Sequence, residues 1–95
     1  MTPTVRDVLP YRIYVIAYSF DRASVFMRDR FNDHQPWVFV NNAETLNGLR
    51  GEYVLAVEDW GLRDDAPQIS RALMEREMLV TTSPQELPFL PENSQ

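Results

Sequence analysis

Apolar residues in the first third of the chain form one continuous run and then recur at helical spacing. The run "YRIYVIAYS", residues 11–19, is rich in β-branched and aromatic residues, which is typical of a strand covered on both faces. Asp21 can cap a following helix that continues to about Asn32. One face of that helix collects the apolar residues Ala23, Phe26, Met27 and Phe31. The pattern predicts a central strand followed by an amphipathic helix.

The next apolar segment, "WVFV" at residues 37–40, is short and has no polar alternation. Such a run is typical of a buried parallel strand. Asn41 and Asn42 can cap a brief helix over residues 43–49, and Gly51 can stop it. We therefore expect a second strand and a second, shorter helix.

The rest of the apolar pattern predicts two more strands and one helix between them. "EYVLAV", residues 52–57, is the third strand, and "MLVTT", residues 78–82, is the fourth. Asp64 or Asp65 followed by Pro67 is a good helix start, because an acid caps free N–H groups and proline suits the first turn. The core-facing residues of this helix are Ile69, Ala72 and Leu73.

Strands that alternate with helices predict an α/β fold. We expect a compact sandwich with a mostly parallel four-stranded sheet in β-α-β-α-β-α-β order, similar to Rossmann-like folds. The expected divisions are an N-terminal arm at residues 1–10, a single domain at 11–82 and a proline-rich tail at 83–95.

Composition narrows the classes of function. The 95 residues are 44% hydrophobic and 24% charged, which is close to the average for globular domains. No apolar run approaches the ~20 residues of a membrane span and no leader opens the chain, so we expect a cytoplasmic protein that does not bind membranes. With no cysteine and one histidine, His34, thiol chemistry and multi-histidine metal sites are excluded. A net charge of −5 argues against nucleic-acid binding.

Polar residues follow the predicted strands, where open parallel sheets bind their ligands. This rim consists of Ser19, Asp21, Asn41, Asn42, Glu58, Asp59, Trp60, Thr81 and Thr82. Glu58, Asp59 and Asp21 could hold Mg²⁺, but caps and turns use the same residue types. We therefore expect no cofactor, and we interpret Glu58 and Asp59 as a solvated strand end.

The segment "YVLAVED" resembles the strand of P-loop NTPases that ends in a magnesium-binding Asp followed by a catalytic Glu. Its lead-in "LNGLRG" resembles the turn before such strands in helicase and terminase ATPases, and in small actinobacteriophage proteins that look like fragments of that core. The resemblance covers about residues 44–60 and implies metal-side and catalytic places for Glu58 and Asp59, in inverted order. The first turn, "AYSFDRAS", lacks the glycines and lysine of a P-loop. The chain thus resembles a P-loop NTPase core fragment without its P-loop, and we expect no enzymatic activity.

Two features favour interaction with proteins. The tail contains "LPFLP", whose Leu87, Phe89 and Leu90 could lie extended in a partner's groove or fold back on their own sheet. Trp60 joins them as a candidate contact, although it could equally be a lid on the core. The aromatic residues of the first two strands could also leave an apolar surface that self-association covers.

Three functional hypotheses follow. The first is a small non-enzymatic module that binds a protein partner or itself as a homodimer. All nine basic residues are arginine, which indicates a GC-rich source, either actinobacterial or actinophage. Together with the resemblance to actinobacteriophage proteins, this leads us to expect a phage accessory protein that acts on a host or phage protein. The second is a minimal nucleotide- or magnesium-binding protein that uses the acidic end of the third strand. The third is an acidic decoy of a nucleic-acid-binding surface, with Glu58, Asp59, Asp64 and Asp65.

Overall fold

Alternating strands and helices build the fold of the computed structural model, which describes residues 8–87. The regular elements are β1 (Ile13–Ile16), α1 (Phe20–Arg30), β2 (Trp37–Phe39), β3 (Tyr53–Ala56), α2 (Ala66–Glu75) and β4 (Leu79–Thr81). Single 3-10 turns occupy Ala43–Leu46, Trp60–Leu62 and Pro84–Glu86. Within the described part of the chain, neither helix has the length and apolar character needed to cross a bilayer.

The sheet confirms the predicted α/β class. Its four strands are all parallel and lie in the order β2-β1-β3-β4. β1 is central, as its covered, β-branched composition predicted. The helix expected over residues 43–49 is instead the 3-10 turn Ala43–Leu46. Gly48 follows that turn at a φ of 86°, a left-handed conformation that leaves no room for a longer helix.

The helix α1 has a different N-cap from the one predicted, whereas α2 begins after Asp65 as predicted. Ser19, not Asp21, is the N-cap of α1, and its hydroxyl oxygen accepts the Arg22 N–H at 3.2 Å. Asp21 lies in the first turn, where its charge suits the helix dipole. Asp65 occupies the N-cap position of α2, but its carboxylate makes no capping bond because it binds Arg63.

Two apolar clusters lie on opposite faces of the sheet. The buried residues of the cluster on the α1 face are Leu9, Ile13, Val15, Ala17, Ala23, Met27, Phe31, Leu55 and Leu87. The buried residues of the cluster on the α2 face are Ile16, Val40, Leu46, Val54, Ile69, Leu73 and Met78. Neighbouring residues of β3, Val54 and Leu55, thus enter different clusters, as strand alternation requires. The molecule has three layers, with the sheet between α1 and α2.

Residues just before and just after the predicted domain, residues 11–82, complete the apolar cluster on the α1 face. Leu9, from the predicted arm, and Leu87, from the predicted tail, are both buried there. The buried side chain of Gln35 holds the arm, since its Oε1 accepts the Leu9 N–H at 2.6 Å. Its Nε2 donates to the carbonyl oxygens of Tyr11 and Pro36. The folded core therefore extends beyond residues 11–82.

β2 and β4 are the edge strands of the sheet within residues 8–87. The prediction of a parallel strand at "WVFV" is confirmed, but its burial is only partial, because the three residues of β2 are half-buried and Val40 alone is fully buried. β4 is still more open, with Leu79 and Val80 exposed by 48% and 47%. The cause is the strand order, since an edge strand has a neighbour on one side only.

Tyr11 makes the stability of the fold depend on pH in the alkaline range. Burial, with a smaller contribution from Tyr53, raises the pKa of Tyr11 from the usual 10.0 to about 12. The unfolded chain therefore loses this proton at lower pH than the folded chain, so stability is fully present below pH ~10 and falls as pH rises towards ~12. We expect Tyr11→Phe to reduce the loss of melting temperature over that range, measured by circular dichroism. The same replacement at the exposed Tyr18 should leave the loss unchanged.

Candidate functional site

The strand order places a topological switch point between β1 and β3. Connections leave these two neighbouring strands in opposite directions, which opens a crevice beyond their carboxyl ends where α/β proteins commonly bind ligands. Asp21 and Arg22, at the start of α1, line one side of this crevice. Glu58 and Asp59 line the other, after β3.

An exposed ion pair crosses the mouth of this crevice. Arg22 Nη1 donates to Asp59 Oδ2 at 2.9 Å, with the two side chains 56% and 48% exposed. Asp59 adopts a left-handed backbone conformation at φ 74°, which aspartate tolerates better than most residues. The pair ties α1 to the end of β3, and so exposed a contact contributes at most about 1 kcal/mol.

The acidic residues Asp21, Glu58 and Asp59 line one pocket of the crevice without forming a metal-binding group. Glu58 and Asp21 are exposed, and Asp59 is bound to Arg22. Within residues 8–87, no three His, Cys, Asp or Glu side chains are grouped so that they could hold a metal ion. Asp21, Glu58 and Asp59, the candidate magnesium ligands of the second hypothesis, thus do not form such a group.

The four acids of the decoy hypothesis are partly neutralised. Asp59 is paired with Arg22, and Asp65 with Arg63. Glu58 and Asp64 are exposed. Two of the four carboxylates therefore already have a cationic partner, which weakens the surface as an imitation of phosphates.

Most other polar residues of the rim have local structural roles. Ser19 caps α1, and Asn42 forms a capping box with Thr45 at the turn before β3. Thr81 is buried and its hydroxyl bonds Glu86 and the Ser83 carbonyl. His34 is exposed in a turn, where its backbone N–H bonds Asn32 Oδ1 at 2.8 Å. The interpretation of these rim residues as caps and turns is confirmed for Ser19 and Asn42.

Arg63 is the residue at this end of the sheet that sequence reasoning missed. Its side chain is only 9% exposed and uses all five of its N–H donors. Nη1 donates to the carbonyl oxygens of Ala17 and Val40 at 3.1 and 2.8 Å, and Nη2 donates to that of Asn41 at 2.8 Å. Nε and Nη2 also bind both Asp65 oxygens, at 2.9 and 3.0 Å. Arg63 therefore joins the ends of β1 and β2 to the start of α2.

An open groove of about 710 Å³ lies between α1 and the ends of β3 and β4. Phe26 and Val57 form part of its apolar wall, and its charged residues are Arg30, Glu58 and Asp59. Arg30 stacks on Phe26, with its guanidinium carbon 4.7 Å from the ring centroid. The residues that line the groove include no lysine and do not form the glycine-rich turn of a P-loop.

Three aromatic rings meet at the outer edge of β2. Phe20, at the start of α1, is 57% exposed and stacks on Trp37 with ring centroids 5.6 Å apart and planes at 18°. It also meets Phe39 edge-to-face at 5.7 Å. We call Phe20, Trp37 and Phe39 the aromatic edge. A sequence signal for it exists, because residues 37 and 39 must share one face of a strand.

Leu87 and Trp60 do not share one surface. Leu87 is buried in the cluster on the α1 face, whereas Trp60 packs partly buried against the cluster on the α2 face. Phe89 and Leu90 lie outside the described residues. Leu87 thus follows the alternative in which the tail folds back on its own sheet.

Comparisons of the chain with protein-family models, with curated proteins and with solved structures found no match. The function is therefore inferred from the geometry of this chain alone.

Proposed function

We propose that the protein is a non-enzymatic protein-binding module and that the aromatic edge is its docking surface. The observation that carries the proposal is the position of Phe20, which is 57% exposed while it stacks on Trp37 at the edge of the sheet. A large ring held in place but open to water is a surface that a partner can cover with a gain of apolar burial.

The aromatic edge has the composition of an interaction hot spot. Aromatic residues and arginine dominate such positions, because they bury much area with few rotatable bonds. Here Arg63 lies 5.4 Å from the centroid of Phe39 and is itself fixed by its hydrogen bonds. The rings are therefore held before binding, which lowers the entropy lost when a partner docks.

The crevice supports a catalytic role less well. Arg63 already uses all its donors within the fold, and Arg22 is paired with Asp59. A nucleotide would need cationic or backbone N–H groups directed at its phosphates. The turn after β1 offers "AYSFDRAS", with neither glycine nor lysine. The binding hypothesis needs no such group.

Replacing Phe20 by Ala should remove partner binding and leave the fold intact. The ring is exposed at the first position of α1, where alanine is a better helix former, so the expected loss of stability is only about 1 kcal/mol from lost ring contacts. The measurement is the amount of partner protein that the immobilised chain captures, compared between the wild type and the variant.

The matched control is Met74→Ala, since Met74 is 77% exposed but lies on α2. Capture that survives Phe20→Ala and fails with Met74→Ala would place the docking surface on α2 and contradict the proposal.

A further inference from the structure

We infer that the protein docked on the aromatic edge is a second copy of this chain, with two β2 strands paired antiparallel about a two-fold axis at Val38. The inference rests on the proposed function and names its partner. It predicts a continuous sheet across the dimer, in which each β2 gains a neighbour at the edge that no other strand of residues 8–87 covers.

The first argument for this pairing is the direction in which the backbone N–H and C=O groups of β2 point. Ile13 N–H donates to the Pro36 carbonyl at 3.2 Å, and Val40 N–H donates to the Val15 carbonyl at 2.8 Å. Positions 36 and 40 therefore face β1. Because backbone groups alternate in direction along a strand, position 38 also faces β1, and the N–H and C=O groups of Trp37 and Phe39 point to the open edge.

A two-fold axis at Val38 matches these outward groups to each other. Antiparallel pairing about that axis places Trp37 opposite Phe39 of the second copy, and Phe39 opposite its Trp37. Residues that face each other in this way exchange both backbone hydrogen bonds. Val38 lies opposite itself, at a position where side chains approach closely. The short strand is therefore complementary to its own copy.

The side chains fit the same arrangement. Trp37 and Phe39 pack on the α1 face of the sheet together with Phe20. The axis brings the aromatic edges of both copies side by side on that face, where each covers the other, and hot spots tend to pair with hot spots. Residues 35–43 contain no charged residue, so no like charges face each other across the paired strands although each chain carries −5.

The other edge strand is less suited to this pairing. Leu79 N–H donates to the Glu52 carbonyl at 2.9 Å, so positions 79 and 81 face β3 and only Val80 presents its backbone groups outward. β4 also has no stacked rings beside it in the described structure. Its copy-to-copy contact would have fewer hydrogen bonds and less aromatic area, which favours β2.

Charged side chains introduced at Val38, on the proposed two-fold axis, test the inference. Sedimentation equilibrium of the full chain should show a dimer for the wild type and for the control Val38→Thr. Val38→Asp and Val38→Arg should each weaken self-association at least about tenfold, because two like charges then face each other. An equimolar mixture of these two variants should form a heterodimer. No restoration on mixing, with both variants folded by circular dichroism, would overturn the inference.

Amide hydrogen exchange gives a second readout that needs no variant. The Trp37 and Phe39 N–H groups should become protected as protein concentration rises, whereas that of Val40, already bound to Val15, should not change. A wild type that stays monomeric at all concentrations, with unprotected Trp37 and Phe39, overturns the inference. If Phe20→Ala then still abolishes capture of another protein, the proposed function stands without it; if it does not, both fall.

Discussion

Replacing Val54 by Asp is expected to leave the chain unfolded at room temperature. Val54 is fully buried in the central strand β3, in the cluster that α2 covers. An unpaired carboxylate there costs several kcal/mol, because neither water nor a cation reaches it. A small domain has only about 5–10 kcal/mol of stability to lose. Circular dichroism and one-dimensional NMR of the variant measure the outcome.

Glu58→Gln is the control on the same segment. Glu58 is exposed just beyond β3, so removing its charge should change the free energy of unfolding by less than about 0.5 kcal/mol. A folded Val54→Asp variant, or a strongly destabilised Glu58→Gln variant, would show that the burial of this strand is not as described.

Arg63→Ala should destabilise the domain by about 3 kcal/mol, because the largely buried Arg63 side chain is the hydrogen-bond donor to several acceptors that would lose it together. The substitution leaves the carbonyl oxygens of Ala17, Val40 and Asn41 without their donor, and Asp65 without its cation. Chemical denaturation with urea gives the free energy. Arg63→Lys should recover little of the loss, because an ammonium cannot reproduce a planar set of five donors.

Arg22→Ala is the matched control, since it removes the same charge from an ion pair at the same end of the sheet. That pair is exposed, so the expected loss is at most about 1 kcal/mol. Equal losses for the two arginine variants would contradict the structural role of Arg63.

Arg63 affects both the stability of the domain and the order of the proposed docking surface. Arg63 holds the end of β2 through Val40 and Asn41 and lies against the Phe39 ring. Loosening it should therefore disorder the aromatic edge before the α1-face core is affected. This coupling explains why an arginine, and not an apolar residue, fits the position, since only its fork reaches three carbonyl oxygens and a carboxylate together.

Local patterns in the sequence were enough to predict the α/β class, the four strands and the two α-helices with their core faces. The β-branched run before Ser19 encodes β1, and the spacing of Ile69 and Leu73 encodes the buried side of α2. These patterns work because burial repeats with the geometry of the element itself, at 2 residues in a strand and 3.6 in a helix.

Contacts between distant segments follow no such period in the sequence. Only the folded chain reveals them. Trp37 and Phe39 lie half-buried at an edge of the sheet because β1 lies between β2 and the other strands, which no local pattern encodes. Arg63 reads in sequence as one more surface arginine, yet it bonds residues 22 to 46 positions away. Leu87 likewise joined the core because the chain turns back after β4. Composition sets what each segment can bury, and the order of the strands sets what lies beside it.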